Sequence, residues 1–178
     1  MTSNETIALV IQSLSSMMAA QGFAIDVQAA YQPTSQGTQL APFITVNYVS
    51  SRRYGHPQKT ERYVQETGVI EHVETYWLEE TYQITAYAIS TPTDVSAPTA
   101  YSYATVSAAI LQSDACRKAL LNKGVGLQRI TDIRTPFFND DLDRFEIYPS
   151  FDLVLTRQES LIYTVPVVAS VDVEIDRV

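Results

Sequence analysis

The sequence contains little of what disulfide-bonded, metal-binding or membrane-spanning proteins require. Cys116 is the single cysteine among 178 residues, so an intrachain disulfide framework cannot form. The two histidines, His56 and His72, are too few and too far apart for a histidine-rich metal site. No apolar run approaches the roughly 20 residues that cross a bilayer, and no signal-peptide pattern opens the chain. We therefore expect a soluble protein, made in a cytoplasm, with no metal, cofactor or membrane contact.

Positive charge is also scarce. Twelve Lys and Arg residues face twenty Asp and Glu residues, which gives a formal net charge of −8. Cationic contacts to phosphates supply most non-specific nucleic-acid binding, so this balance argues against a surface that grips DNA or RNA. The one local cluster of cations is Arg52, Arg53, Lys59 and Arg62, and Glu61 interrupts it. We interpret the cluster as a solvated hairpin surface.

The motifs of common enzyme classes are missing as well. The sequence has no glycine-rich phosphate loop, no GxSxG elbow and no HExxH. Cys116 precedes Arg117 and Lys118, and neighbouring cations can lower a thiol pKa. No histidine lies near it, however, and a small, half-buried helix residue is the simpler interpretation. The expectation is therefore a protein that is not an enzyme and has no catalytic residues.

Two groups of acidic residues give weak signals for a site. Asp140, Asp141 and Asp143 resemble the start of a calcium loop, but the glycine and the terminal glutamate of an EF-hand are missing. Glu79 and Glu80 could supply paired carboxylates for acid–base chemistry. No pocket that would shift their pKa values is evident, so we interpret them as a solubilising or repelling surface. A small enzyme or ligand-binding domain with an acidic cleft stays as the alternative.

Periodicity and capping signals predict two or three helices. Thr2 and Glu5 have capping-box spacing, and Gly22 is placed to end the helix, which predicts a first helix over about 3–21. A second helix is predicted to start at Pro98, and Ser113 re-caps the chain for a short third helix through Leu121. The apolar stripe of the first helix is Ile7, Val10, Ile11, Leu14, Met17 and Met18.

Alternating patterns predict a mostly antiparallel sheet. The sequence predicts a short strand over 24–31, a loop over 32–41, and a strand after Pro42 with Ile44, Val46 and Tyr48 on one face. The same reasoning predicts a strand over 126–134, a turn at 139–141 and a C-terminal strand, VDVEIDRV. Pro149 predicts an edge, bulge or break within the last strands. Their inward row is Phe145, Ile147, Phe151, Leu153 and Leu155.

The stretch IEHVETYWLEETYQITAYAI, residues 70–89, joins two kinds of strand. Its second half alternates cleanly, which predicts an inward row of Tyr82, Ile84, Ala86 and Ala88. In its first half, charged and apolar residues share the same face, so neither face stays dry. With a turn at Gly68, this predicts a long antiparallel hairpin arm over about 52–80. The fold class is therefore α+β: one domain over 1–178, with a mostly antiparallel sheet packed by two or three helices and a projecting β-hairpin arm.

The arm and one aromatic pair are the predicted contact surface. Tyrosine, tryptophan and arginine are enriched at the centres of protein interfaces, and an exposed apolar patch commonly marks a contact site. Phe137 and Phe138 are an unusual pair to leave in solvent next to a turn. The predicted subunit or partner interface residues are Arg52, Arg53, Tyr54, Arg62, Tyr63, Tyr76, Trp77, Phe137 and Phe138.

The order of these elements resembles the phage tail or neck terminator proteins, which complete the tail and join it to the head. The segments that carry the likeness are PFITVNYVSSRRYGHP, ETYQITAYAIS, PTAYSYATVSAAILQSDACRKAL and FEIYPSFDLVLT. The likeness covers most of the chain and lies in architecture and pattern, without a diagnostic motif. The C-terminal VDVEIDRV departs from the family pattern.

The resemblance implies a virion protein of the neck. It implies a ring, commonly of six subunits, that sits on the finished tail tube, stops its polymerisation and contacts the head-side connector. The implied partners are further copies of the chain, the tail tube protein, the connector or adaptor protein and the sheath protein. DNA would be present only as the contents of the ring lumen. Another connector or baseplate component is the alternative within the structural class.

Overall fold

The structure is a computed structural model that describes residues 2–30, 42–88, 96–139 and 145–167. Three helices and a five-stranded sheet, accompanied by a small two-stranded sheet, form the described part of an α+β fold. This confirms the predicted fold class. No helix among the described residues is long and apolar enough to cross a membrane. The elements are α1 (Ser3–Ala20), β1 (Asp26–Ala29), β2 (Phe43–Val64), β3 (Val69–Tyr87), α2 (Ala100–Gln112), α3 (Asp114–Leu121), β4 (Val125–Ile130), β5 (Phe137–Asn139), β6 (Phe145–Ile147) and β7 (Ser150–Pro166).

The capping signals in the sequence set the helix ends. The Glu5 amide donates to the Thr2 hydroxyl at 3.3 Å and the Thr2 amide donates to a Glu5 carboxylate oxygen at 2.6 Å, so the predicted capping box is present. The second helix begins at Ala100 rather than at Pro98, because the hydroxyl of Thr99 accepts from the Ser102 amide as its cap. Ser113 caps α3 through the amide of Cys116, as predicted.

The larger sheet has the strand order β1-β2-β3-β7-β4. The β1–β2 pair is parallel and every other pair in this sheet is antiparallel. The strand predicted over 126–134 runs from Val125 to Ile130 and therefore ends early. It ends there because the Asp152 amide donates to the Thr131 hydroxyl instead of to a backbone carbonyl. Beyond Ile130 the backbone is joined to β7 by the Thr131 amide, which donates to the Asp152 carbonyl at 2.9 Å, and by the bridge between Arg134 and Ser150.

The core lies between one face of this sheet and the three helices. The predicted inward rows are confirmed at Tyr82, Ile84 and Ala86 and at Phe151, Leu153 and Leu155, all of them buried, but Ile147, predicted in the second row, is 54% exposed. Tyr48 shares this face with Ile44 and Val46, as predicted, and its side chain at the end of the core is 39% exposed. A bulge follows it directly, and its ring meets that of Tyr82 edge-on at 5.8 Å. The helix residues that fill the core are Val10, Leu14, Met18, Tyr103, Ala104, Leu111 and Leu120.

The break predicted at Pro149 is observed. It separates β6 from β7, and β6 turns away to pair with β5 in the two-stranded sheet. The predicted loop at 32–41 and the predicted C-terminal strand VDVEIDRV lie outside the described residues. The predicted turn at 139–141 lies outside them except for Asn139.

Strands β2 and β3 form the predicted long hairpin, and β7 lies along it as a third strand. The pairing of β2 with β3 continues to Val64 and Val69, and Gly68 has a φ of 63° in the connecting turn. We define the distal sheet as residues 49–64 of β2, 69–77 of β3 and 158–166 of β7. None of these residues is buried. The outward projection of the distal sheet as an arm that contacts a neighbour stays a prediction.

Where β4 pairs with β7, the side chain of Thr156 leaves little room for a Cβ at position 126. A Cβ built on Gly126 would lie 2.7 Å from the hydroxyl oxygen of Thr156, closer than real Cβ contacts. We expect Gly126→Ala to lower the free energy of unfolding by about 1–3 kcal/mol, the usual cost of overpacking. The measurement is urea denaturation. Adding Thr156→Ala should restore most of the loss; a double variant as unstable as Gly126→Ala would show that the clash is not the cause.

Candidate interaction site

Ion pairs across the strands hold the distal sheet together. They join β2 to β3 and, in one case, β2 to β7, with nitrogen–oxygen distances of 3.0–3.2 Å. Exposed pairs of this kind contribute about 0–1 kcal/mol each, so their main effect is to set register and neutralise charge. The pairs are Arg52–Glu79, Lys59–Glu74, Arg62–Glu71 and Arg53–Glu159, and His72 Nδ1 lies 3.2 Å from Glu61.

Tyr76 lies at the centre of one of these networks. Its hydroxyl donates to Glu74 at 2.6 Å, and the guanidinium of Arg53 lies 5.1 Å from its ring centroid. The bond to Glu74 raises the pKa of Tyr76, and the same bond together with Lys59 lowers the pKa of Glu74. The charged groups of this surface are thus largely paired within the chain. Its exposed apolar side chains are therefore the stronger indication of a contact surface.

The exposed apolar residues of the distal sheet come from all three strands. Tyr54, Tyr63 and Trp77 were predicted from the sequence, and their side chains are 41%, 59% and 46% exposed. The contribution of β7 was missed. The available signal was the run LIYTVP, which continues the strand well beyond the last core residue. The exposed β7 residues are Leu161, Ile162, Tyr163 and Val165, at 55%, 60%, 43% and 40%.

The two long edges of the distal sheet differ. The β2 edge carries two bulges, at Tyr48/Ser50 and Tyr54/Gln58, together with Pro57, and such features discourage edge-to-edge pairing. The β7 strand pairs with β3 without a bulge over its whole length. Its other side is covered by β4 only as far as Arg157, so residues 158–166 have an edge that pairs with no described strand. An unblunted edge of this kind is a ready template for another chain.

The structure divides the predicted interface residues between the two faces of the distal sheet. Their register places Arg53, Tyr63 and Tyr76 on the face that the helices cover further along the sheet. The opposite face carries Arg52, Tyr54, Arg62 and Trp77. The predicted pair Phe137 and Phe138 is in β5, and the positions of their side chains are outside the described part of the structure. An interface role for these residues stays a prediction.

A buried ion pair lies where the distal sheet meets the core, and it corrects the interpretation of Glu80. We expected Glu80 to belong to a solvated acidic surface, but its side chain is 1% exposed. Arg157 Nε and Nη2 each donate to one of its carboxylate oxygens at 3.1 Å. Tyr82 adds a hydroxyl bond at 2.8 Å and Ser3, from the start of α1, adds one at 2.7 Å. The network therefore ties the first helix to β3 and β7.

The network determines the protonation of its members. Burial by itself would raise the pKa of Glu80, but the hydrogen bonds from Arg157, Ser3 and Tyr82 hold it below its usual value. Burial, and the bond that Tyr82 donates to Glu80, raise the pKa of Tyr82. Glu80 is therefore a carboxylate and Tyr82 a neutral phenol at neutral pH. A group held this way has no free acid–base function, and its role here is structural.

An open groove with a volume of about 490 Å³ lies over this network. Arg157 lines this groove, and one of its guanidinium nitrogens, Nη1, is buried and has no hydrogen-bond partner in the described structure. The Arg157 side chain is 6% exposed. The groove is lined by Ser3, Ser51, Arg53, Leu78, Glu80, Arg157 and Glu159.

The remaining sequence candidates do not assemble a reactive site. Cys116 is completely buried in α3, which is deeper than expected, and burial raises the pKa of its thiol. The neighbouring cations therefore do not activate it. Among the residues that the structure describes, no three His, Cys, Asp or Glu side chains group together as a metal site. The aspartates Asp140, Asp141 and Asp143 lie outside those residues.

Comparisons with known proteins give one family match and a structural similarity. The family model described as "E217 gateway protein gp29" matches residues 5–167 of the chain. A solved structure of the sheath/tube terminator of an extracellular contractile injection system, PVC, in its extended state, is similar at a TM-score of 0.44 and 13% identity. That match covers 97% of this chain and 64% of the other, so the chain spans less than two thirds of that protein's length. No curated protein sequence matches the chain significantly.

Proposed function

Because the chain belongs to the family of the E217 gateway protein gp29, we propose that it is a structural subunit of a phage neck. This membership confirms the predicted relation to phage tail and neck terminators, which are head–tail joining components of the virion. In the proposal, copies of the chain form a ring that caps the tail tube and joins it to the head-side connector. DNA passes through the lumen of that ring.

The distal sheet is the observation that carries the proposal. Three strands run on beyond the last buried residues, and they display tyrosine, tryptophan and aliphatic side chains to solvent. At about 3.3 Å per residue, the nine residues of β3 in this segment extend roughly 30 Å. A surface of this length and composition suits a contact with another subunit.

The open β7 edge supports assembly in a ring. A neighbour can extend the sheet at residues 158–166, and a head-to-tail contact of this kind closes into a ring when the rotation between subunits allows it. We propose six subunits, with the tail tube protein, the head-side connector and the sheath protein as the other partners. The net charge of −8 suits a lumen along which DNA slides without adhering.

The alternatives fit the structure less well. An enzyme or ligand-binding domain with an acidic cleft would need convergent, unpaired carboxylates. In the groove at the base of the distal sheet, Glu80 is paired with Arg157 and Glu159 is paired with Arg53. Another connector or baseplate component would differ from a neck subunit in its position in the virion, and imaging distinguishes the two positions.

The test is to locate the subunit in purified virions or tails. A small electron-dense or gold-binding tag is placed at the turn over 65–68, where all four residues are exposed, and the particles are imaged by electron microscopy. We expect the label at the head-proximal end of the tail. A label at the distal, baseplate end would contradict the neck assignment, and a second tagged site in the α3–β4 turn controls for tag effects.

A further inference from the structure

The groove contains a hydrogen-bond donor that has no partner among the described residues. Glu80 accepts four hydrogen bonds: two from Arg157, one from Ser3 and one from Tyr82. A carboxylate has about four lone-pair sites, so this one is saturated. A guanidinium carries five N–H groups, and Arg157 uses only its Nε and Nη2 edge. The unpaired Nη1 lies on the other edge of the guanidinium, away from Glu80.

The second arginine of the groove also has donors to spare. Arg53 donates to Glu159 through Nη2 at 3.0 Å, and its side chain is 62% exposed. Arg53 and Arg157 therefore both line one groove, and each has one edge engaged by a carboxylate of the chain. A buried donor without a partner costs about 1–3 kcal/mol, more when it is charged, so the site is incomplete as it stands.

We propose that the groove is a binding site for a carboxylate, presented as a Glu or Asp side chain by the protein on which this chain assembles. A planar carboxylate has two oxygens and matches the fork of a guanidinium, so it can bond to Arg53 and Arg157 together. The chain's own Glu80 and Glu159 balance the two arginines. Both carboxylates repel any incoming anion, and this repulsion is smaller for a carboxylate, which brings one negative charge, than for a phosphate dianion, which brings two.

Binding of a carboxylate at this site requires side chains of the groove to move. Arg157 Nη1 has almost no accessible surface, so an acceptor reaches it only after a small shift of the groove's side chains. Arg53 is the exposed member and is held in place by one surface ion pair, which is a weak constraint. In the proposed bound state Arg53 bonds to the incoming carboxylate and the orphan Nη1 gains its partner.

The proposal is tested on the isolated chain with a small probe. N-acetyl-glutamate N-methylamide is titrated into protein labelled with ¹⁵N-arginine, and the Nε–H resonances of Arg53 and Arg157 are followed by NMR. N-acetyl-glutamine N-methylamide, which has the same shape and no charge, and inorganic phosphate are the comparators. We expect saturable shifts at both arginines with the glutamate probe, and binding at least about tenfold weaker with the glutamine probe, the loss expected for a charge-assisted hydrogen bond.

Two matched variants separate the groove from the rest of the sheet. Arg53→Gln should weaken binding of the glutamate probe about tenfold, while Arg62→Gln, an equally exposed cross-strand arginine outside the groove, should leave it unchanged. Absence of any shift at Arg157, tighter binding of phosphate than of the carboxylate, or equal effects of the two variants would each overturn the proposal. The proposed function supplies only the kind of partner here; a failed titration leaves the imaging test of the neck position untouched.

Discussion

Glu80→Ala is expected to lower the free energy of unfolding by about 3–5 kcal/mol, because it leaves the buried guanidinium of Arg157 without its partner. The substitution also deprives Ser3 and Tyr82 of the acceptor of their hydroxyl bonds. For a domain of ordinary stability, such a loss is a large fraction of the total. Urea denaturation followed by circular dichroism measures it.

Glu79→Ala is the matched control, since Glu79 is the next residue along the strand and pairs with the exposed Arg52. It should cost less than about 1 kcal/mol. The double variant Glu80→Met, Arg157→Met removes both charges and should recover most of the loss, because an apolar pair of similar volume can replace a buried ion pair at little cost. Equal losses in Glu79→Ala and Glu80→Ala would contradict the assignment of Glu80 as a structural anchor.

The ion pair also gives the protein a defined response to acid. The pKa of Glu80 is lower in the folded chain than its usual value of 4.5, so its stabilising effect is present above that value. The effect is lost as the pH falls through the lowered, folded-state pKa, where protonation removes the partner of Arg157. The difference in stability between the wild type and Glu80→Gln should therefore be largest at neutral pH and shrink in acid.

The second large effect is expected for assembly. Leu161→Lys combined with Ile162→Lys places a charge on each face of the open β7 edge, where the native side chains are 55% and 60% exposed. Because both positions are exposed, the free energy of unfolding should change by no more than about 0.5 kcal/mol. Loss of two central apolar contacts should weaken assembly by about 2 kcal/mol or more, which is roughly 30-fold.

The measurement is the amount of protein bound to purified tails that lack it, by sedimentation and electron microscopy. Leu121→Lys is the control: this residue is 66% exposed on α3, away from the distal sheet. It should assemble like the wild type. If the β7 variant also binds tails normally, the open edge is not a contact in the assembly and that part of the proposed function is wrong.

Local signals carried most of the fold. The capping boxes, the glycine turn and the alternating rows depend on residues within a few positions of one another, and the structure has them where the sequence predicts them. Glu80 shows why the remainder was not predictable. Its partner Arg157 is 77 positions away, and in sequence it appears as one more glutamate in an acidic stretch. Pairing between distant strands decides whether such a charge is solvated or buried.

The strand β7 shows the same limit for the candidate site. The sequence predicted a two-stranded hairpin arm over about 52–80, and a deletion from Arg53 to Glu79 would remove such an arm. In the structure that deletion would strip residues 156–166 of their pairing partner in β3 and expose an apolar strand. Substitutions on β7 therefore test the proposed contact without disturbing the sheet, which the deletion does not. This follows only from the position of β7 beside β3.

Because of the bulge at Tyr48/Ser50, the number of residues in β2 decides which of its side chains share a face of the sheet. Before it, Tyr48 pairs with Tyr82, and beyond it Ser51 pairs with Glu80, so one additional residue reverses which side of the sheet each later β2 side chain occupies. Removal of Val49 would delete the unpaired residue itself and leave Ser50–Thr81, Ser51–Glu80 and Arg53–Leu78 in register, so Arg53 would keep its face of the sheet. A one-residue shift of the register beyond the bulge would instead move every later β2 side chain to the opposite face, so the bulge is a place where β2 can lose a residue without that change.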